Sequence, residues 1–185
     1  MEHARLSLMS ASDYLEMEQA SDVRHEFVAG QVFAMVGVRD SHNIVALNIS
    51  FALQTQVRGR CNVFMSDVKL RIDAADAYYY PDVFVTCDQR DTDPYVKRHA
   101  SLVVEVLSPR TEGIDRREKL RNYRLIESLS EYVIVSIEDR CVELYRREAG
   151  AEWHLYRYGV QESMELRSVG AQLALSEVFE GVGVQ

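Results

Sequence analysis

The tightest constraint on the fold is the run Leu102-Val103-Val104-Glu105-Val106-Leu107, apolar and mostly β-branched except for one carboxylate. A continuous apolar run of this length, bounded by polar segments, predicts a strand buried on both faces at the centre of a layered sheet. An ionised carboxylate there is strongly disfavoured unless a cation or metal accompanies it. A second run, Pro81-Asp82-Val83-Phe84-Val85, repeats the pattern with Asp82. Pro81 cannot donate a ladder hydrogen bond, so it should open that strand and leave Asp82 as its first residue with a free donor. The two runs could lie side by side.

The remaining chain supplies the layers. Ser10 predicts an N-cap for a short helix, and Arg24–Val28 and Gln31–Met35 flank Ala29-Gly30 as a hairpin. Helical spacing of Ile44, Leu47, Phe51 and Leu53 predicts a helix from Asp40 to Val57, with His42 in its first turn and Gly59 as its stop. Residues 62–66 and 68–72 read as strands, and 88–100 as a polar loop. Asp115 to about Glu127 reads as a helix on which Lys119 and Tyr123 share a face. Runs 132–137, 141–147 and 153–158 form an antiparallel meander, followed by a short strand near Leu173 and a small helix from Ser176. The expectation is one α/β domain over residues 1–185, with a mixed central sheet flanked by helices and a C-terminal antiparallel meander.

Composition narrows the function. With 47% hydrophobic and 27% charged residues, the chain has enough apolar material for a sizeable core. The first residues lack an apolar signal-like region and no run reaches membrane-spanning length, so a cytoplasmic protein with no membrane partner is expected. A net charge of -8 argues against a whole-surface nucleic-acid binder, so any DNA contact should be local. The basic cluster Arg110, Arg116, Arg117, Lys119, Arg121 and Arg124 could supply it, or could be a solvated helix face balanced by Asp115, Glu118 and Glu127. Cys61, Cys87 and Cys141 form no close pair and read as buried or half-buried thiols, not as a disulfide framework.

Asp82 and Glu105, with Glu26 from the first strand, form a set of hard oxygen donors suited to Mg²⁺ or Mn²⁺. A divalent ion there could polarise a phosphoryl oxygen, and Lys119 could stabilise charge developing in the transition state. On spacing alone a structural reading also stands: Glu105 paired to Lys119 or an arginine, Asp82 a solvated acid at an edge, and Lys119 a surface lysine.

The order Glu26, Gly30, His42, Pro81-Asp82-Val83, then Val103-Val104-Glu105-Val106-Leu107-Ser108-Pro109 with Thr111, then Asp115, Lys119 and Tyr123, resembles the Uma-type family of restriction-endonuclease-like proteins. The likeness covers about residues 10 to 180, and its specific part is Glu-Val-Leu-Ser-Pro-x-Thr followed by Asp-x-x-x-Lys-x-x-x-Tyr. That family is similar to the PD-(D/E)XK nucleases. The resemblance implies Asp82, Glu105 and Glu26 as metal-binding acids, with a lysine normally two residues after the second acid. Leu107 occupies that place, so the resemblance implies a lysine moved to the following helix, Lys119, with Lys69 as the fallback. His42, Tyr123, Arg110 and Arg116 are the residues expected to meet substrate. The implied activity is Mg²⁺-dependent (or Mn²⁺-dependent) endonucleolytic hydrolysis of DNA, the alternative a nuclease-like binding or regulatory module without turnover. A homo-oligomer joined through Tyr78–Tyr80 or the meander is a further expectation.

Overall fold

The computed structural model describes residues 8–109 and 111–183, so Arg110, one of the expected substrate contacts, lies outside the described residues. Helix α1 (Ala11–Ala20) is capped by Ser10, whose hydroxyl accepts the Asp13 amide at 3.1 Å. Strands β1 (His25–Val28) and β2 (Gln31–Ala34) form the expected hairpin, with Ala29 and Gly30 both at positive φ. Helix α2 (Asp40–Val57) follows. Next come β3 (Asn62–Met65), β4 (Lys69–Ile72), β5 (Ala77–Tyr79), β6 (Val83–Thr86), the short β7 (Val96–Lys97) and β8 (Ala100–Val106).

Beyond β8 the chain forms a single turn α3 (Glu112–Ile114), a π-helical turn (Asp115–Lys119) and α4 (Leu120–Tyr123). The helix expected to run from Asp115 to about Glu127 therefore starts earlier and stops earlier. After Tyr123 the chain tightens: the amides of Leu125 and Ile126 bond the carbonyls three residues back at 3.0 Å, which buries Ile126 and Leu129 together. Strands β9 (Glu131–Ser136), β10 (Cys141–Arg147) and β11 (Trp153–Gly159) make the meander, then β12 (Ser163–Leu166) pairs with β13 (Ala171–Ala174) before α5 (Leu175–Val178).

A six-stranded sheet has the order β11-β10-β9-β8-β6-β3, and only the β8–β9 pair in it is parallel. A five-stranded sheet runs β2-β1-β5-β4-β7. β8 is the central strand its composition predicted. Its period-2 alternation sends Leu102, Val104 and Val106 into a core shared with α2 and α5, and turns Val103 to the opposite face, with Phe84, Tyr132, Ile134 and Tyr123. Residue 105 faces the same way as Val103.

Several expectations change. Asp82 stands one residue before β6 instead of beginning it. Tyr78, Tyr79 and Tyr80 are buried within the chain and present no tyrosine-rich outer edge. Cys61 and Cys87 are disulfide-bonded, with Cα atoms 4.2 Å apart, and Cys141 alone is a free thiol. The reason is register: Asn62 pairs with Thr86 in the β3–β6 ladder, so Cys61 and Cys87 face each other one step beyond it, although 26 residues separate them in sequence. No helix among the described residues is long and apolar enough to cross a membrane.

Candidate functional site

The antiparallel β6–β8 pairing sets Val83 against Val104 and brings Asp82 beside Glu105. The Glu105 side chain is 3% exposed. Its Oε1 accepts the Tyr123 hydroxyl at 2.7 Å and the Lys119 ammonium at 3.1 Å, while Oε2 is 3.4 Å from the Asp82 amide. Asp82 Oδ2 accepts the Val106 amide at 2.7 Å and lies 3.2 Å from Nε2 of His42, on the first turn of α2. Burial, the largest single influence, works against the His42 charge, but the hydrogen bond to Asp82, the Asp82 charge, a backbone hydrogen bond at Val106 and Asp115 together raise its pKa.

Lys119 arrives from the π turn, whose register shows in the Leu120 amide reaching back to the Asp115 carbonyl. The same carbonyl accepts the Tyr132 hydroxyl at 3.1 Å. Lys119 Nζ lies 3.0 Å from Glu26, 3.1 Å from Glu105 and 3.6 Å from Asp115. One ammonium thus faces three carboxylates, and Oδ1 of Asp115 is buried without a hydrogen-bond partner. Burial works against the Lys119 charge, yet Glu105, Glu26 and Asp115 hold its pKa well above the ordinary lysine value. Burial drives the Glu105 pKa well above the usual carboxylate range despite Lys119, with Asp82, Asp115 and Glu26 adding to the rise. Asp115 is raised for the same first reason. The cluster holds more carboxyl groups than its one lysine can pair.

These groups line a cavity of about 540 Å³. Glu26, His42, Asp82, Glu105 and Lys119 all reach it. Tyr123 does not: it is fully buried behind Glu105. Arg116 turns away to Glu112, at 2.9 Å, and to Glu143. Lys69 lies over the Tyr80 ring, 5.3 Å from its centroid, and is not part of the cavity wall. Two charged wall residues had no site role in the sequence reading. Asp115 stands in the Asp-x-x-x-Lys-x-x-x-Tyr motif, one i, i+4 step before Lys119, a signal that was available; Arg39 follows an irregular segment and carries no pattern that marks it.

Asp82 and Glu105 are hard oxygen donors that adjoin each other, the chemistry Mg²⁺ and Mn²⁺ prefer. Glu26 is engaged by Lys119, as Glu105 is, and also by the Tyr80 amide at 3.3 Å. Among the described residues, no group of three or more His, Cys, Asp or Glu is arranged to hold an ion. The acids present therefore match a divalent ion in donor type, with Glu26 and Glu105 both also in contact with the lysine.

The mixed sheet has Glu105 on its central strand and Asp82 immediately before the adjacent one, with helices packed on it, and the fold is nuclease-like. The solved structure of "a putative nuclease belonging to DUF820" from Anabaena variabilis ATCC 29413 shares it, with a TM-score of 0.74 over 92% of this chain and 97% of that one, at 12% identity. The chain belongs to the family described as "Uma2: Putative restriction endonuclease", which matches residues 11–181. Two uncharacterised proteins of Synechocystis sp. are similar: slr1290, 33% identical over 94% of this chain and 93% of its own length, and sll1609, 30% identical over 82% and 88%.

Proposed function

We propose that the chain is a divalent-metal-dependent endonuclease that hydrolyses DNA phosphodiester bonds at the cavity floored by Asp82 and Glu105. The observation that carries this reading is the excess of buried carboxylate around one lysine at the wall of an open cavity. Buried charge of one sign is costly, and a site that keeps it has a cation to receive. Asp82 and Glu105 would hold Mg²⁺ or Mn²⁺, which when bound supplies Lewis-acid polarisation and a water of lowered pKa.

The chain's own groups do the rest. Lys119, kept protonated by Glu26, Glu105 and Asp115, offers fixed positive charge toward a phosphoryl oxygen. Tyr123 fixes the Glu105 carboxylate from behind, and the Val106 amide and His42 orient that of Asp82. Cleavage of plasmid and single-stranded DNA by wild type, Asp82→Ala and Glu105→Ala, with Mg²⁺ or Mn²⁺, tests the reading. Equal activity in all three, or none in wild type with either ion, would sink it.

A second reading has its own support. Lys119 already sits among three acids as an internal cation, the arrangement of a nuclease-like binding module without turnover. Calorimetric titration with Mn²⁺ separates the two: the enzyme reading requires binding that Glu105→Gln weakens, and the module reading requires none.

A further inference from the structure

The wall facing the carboxylates is apolar. Phe33, Val36, Val38 and Ile114 line the 540 Å³ cavity and yet remain about half exposed, between 44% and 53%. Apolar side chains gathered at the mouth of a polar cavity mark a contact surface. The segment from Met35 to Val38, which links β2 to α2 without regular structure, also borders a second cavity of about 330 Å³. His42 and Asp82 line both, so the two cavities flank the Met35–Val38 segment and share those two residues in their walls.

The charge around this mouth is sparse. Arg39 stands exposed on the first cavity and makes no salt bridge among the described residues. Arg24, on the second, is paired with Asp67 at 2.7 Å, and Arg116 is occupied by Glu112 and Glu143. A duplex read from outside is held by cations that neutralise several phosphates. This mouth offers few, on a chain of net charge -8. An unstacked strand also uses cations along its backbone, but it adds the stacking of its bases on aromatic side chains, a contact that a duplex read from outside does not offer. Cavities of a few hundred Å³ enclose a small ligand such as a nucleotide, not a helix.

Resting on the nuclease reading, we propose that the substrate is single-stranded DNA, with an unstacked base on Phe33 and the Val36–Val38 rim, and the neighbouring phosphodiester at Asp82 and Glu105. Arg39 meets a flanking phosphate. The strand passes from one cavity to the other along the Met35–Val38 segment.

The test compares a labelled single-stranded oligonucleotide, the same sequence as a blunt duplex, and bis(p-nitrophenyl) phosphate, a minimal phosphodiester without a base. Wild type, Phe33→Ala and Val36→Ser/Val38→Ser are assayed for turnover with Mn²⁺, for DNA binding by anisotropy and for size by sedimentation. The expected result is single-strand binding and cleavage on the order of tenfold better than duplex, reduced on the order of tenfold by Phe33→Ala. Turnover of the minimal diester should fall less than single-strand cleavage in both rim variants, because its nitrophenyl groups span only part of the strand's contact with the rim. Minimal-diester turnover that needs Asp82 and Glu105, together with equal use of single strand and duplex, overturns this proposal and leaves the nuclease reading standing. No turnover of any substrate and no single-strand binding overturns both. A dimer lost in Phe33→Ala while single-strand binding is unchanged assigns the rim to a second copy of the chain and also overturns the proposal.

Discussion

Two buried ionic clusters sit on the same sheet and are built on opposite principles. Glu131 on β9 faces Arg146 directly across the ladder on β10, with Nε to Oε1 at 2.7 Å. Glu131 also accepts the Arg167 amide at 3.2 Å, the Ser168 amide at 3.0 Å and the Ser168 hydroxyl, while Arg146 reaches the Glu165 carbonyl and lies over the Tyr156 ring. Neither side chain leaves a buried polar atom without a partner. Around Lys119, by contrast, three carboxylates share one ammonium and an Asp115 oxygen goes unsatisfied. Burial of charge is common to both; the imbalance belongs to the cavity. The first cluster joins β9 and β10 to the turn after β12, and the second leaves carboxyl groups lining the cavity.

The contrast breaks most visibly on the balanced side. Glu131→Gln leaves Arg146 buried without its counter-charge, and urea unfolding should show a loss of about 3–5 kcal/mol. DNA cleavage per folded molecule should stay unchanged, and a fall in cleavage would mean the pair also serves the site. Glu131→Leu combined with Arg146→Met should lose less than the single change, because no charge is stranded. On the unbalanced side, Lys119→Met should slow phosphodiester cleavage by about 100-fold, roughly 2.7 kcal/mol of transition-state stabilisation. Normal cleavage by that variant would remove Lys119 from the mechanism.

Smaller effects sharpen the same distinction. Glu105→Gln removes a carboxylate that burial disfavours, so it should raise the unfolding free energy by about 1 kcal/mol while abolishing activity. A loss of stability would make Glu105 a structural group after all. The least effect belongs to an exposed cluster, Asp73 with Arg98 and Arg71, at 2.6 and 2.9 Å. The Arg98 hydrogen bond, aided by Arg71 and opposed by slight burial, lowers the Asp73 pKa below its ordinary 3.8. Its stabilising contribution is therefore present above that value and lost as pH falls through the lower folded value. With Asp73 66% exposed, solvent screening should keep it under about 1 kcal/mol. Acid titration of wild type against Asp73→Asn measures it.

Much of the fold was legible because local pattern and global position agree. The apolar run around Glu105 could only be a central strand, and Gly30 and the alternation of 132–158 marked the hairpin and the meander. Asp82 and Glu105 stand together because adjacent strands carry them, which spacing made plausible. What stayed hidden depends on relations the sequence does not display. The disulfide follows from ladder register between strands that are distant in sequence. The occupation of Arg116 depends on Glu143, 27 residues away on β10. The burial of Tyr123 behind Glu105 depends on which way a helix docks. The π turn leaves no trace in a search for 3.6-residue periodicity.

That turn has a consequence in rotation. On a regular α-helix each four-residue step overshoots a full circle by about 40°, so Asp115, Lys119 and Tyr123 would drift around the axis in the same sense. A π turn holds more residues per revolution, so the step from Asp115 to Lys119 falls short instead and takes back the advance of the next step to Tyr123. Asp115 and Tyr123 then share nearly one bearing, with Lys119 set to one side of it. Removing a single residue between Asp115 and Lys119 would keep these three side chains and change their bearings relative to one another.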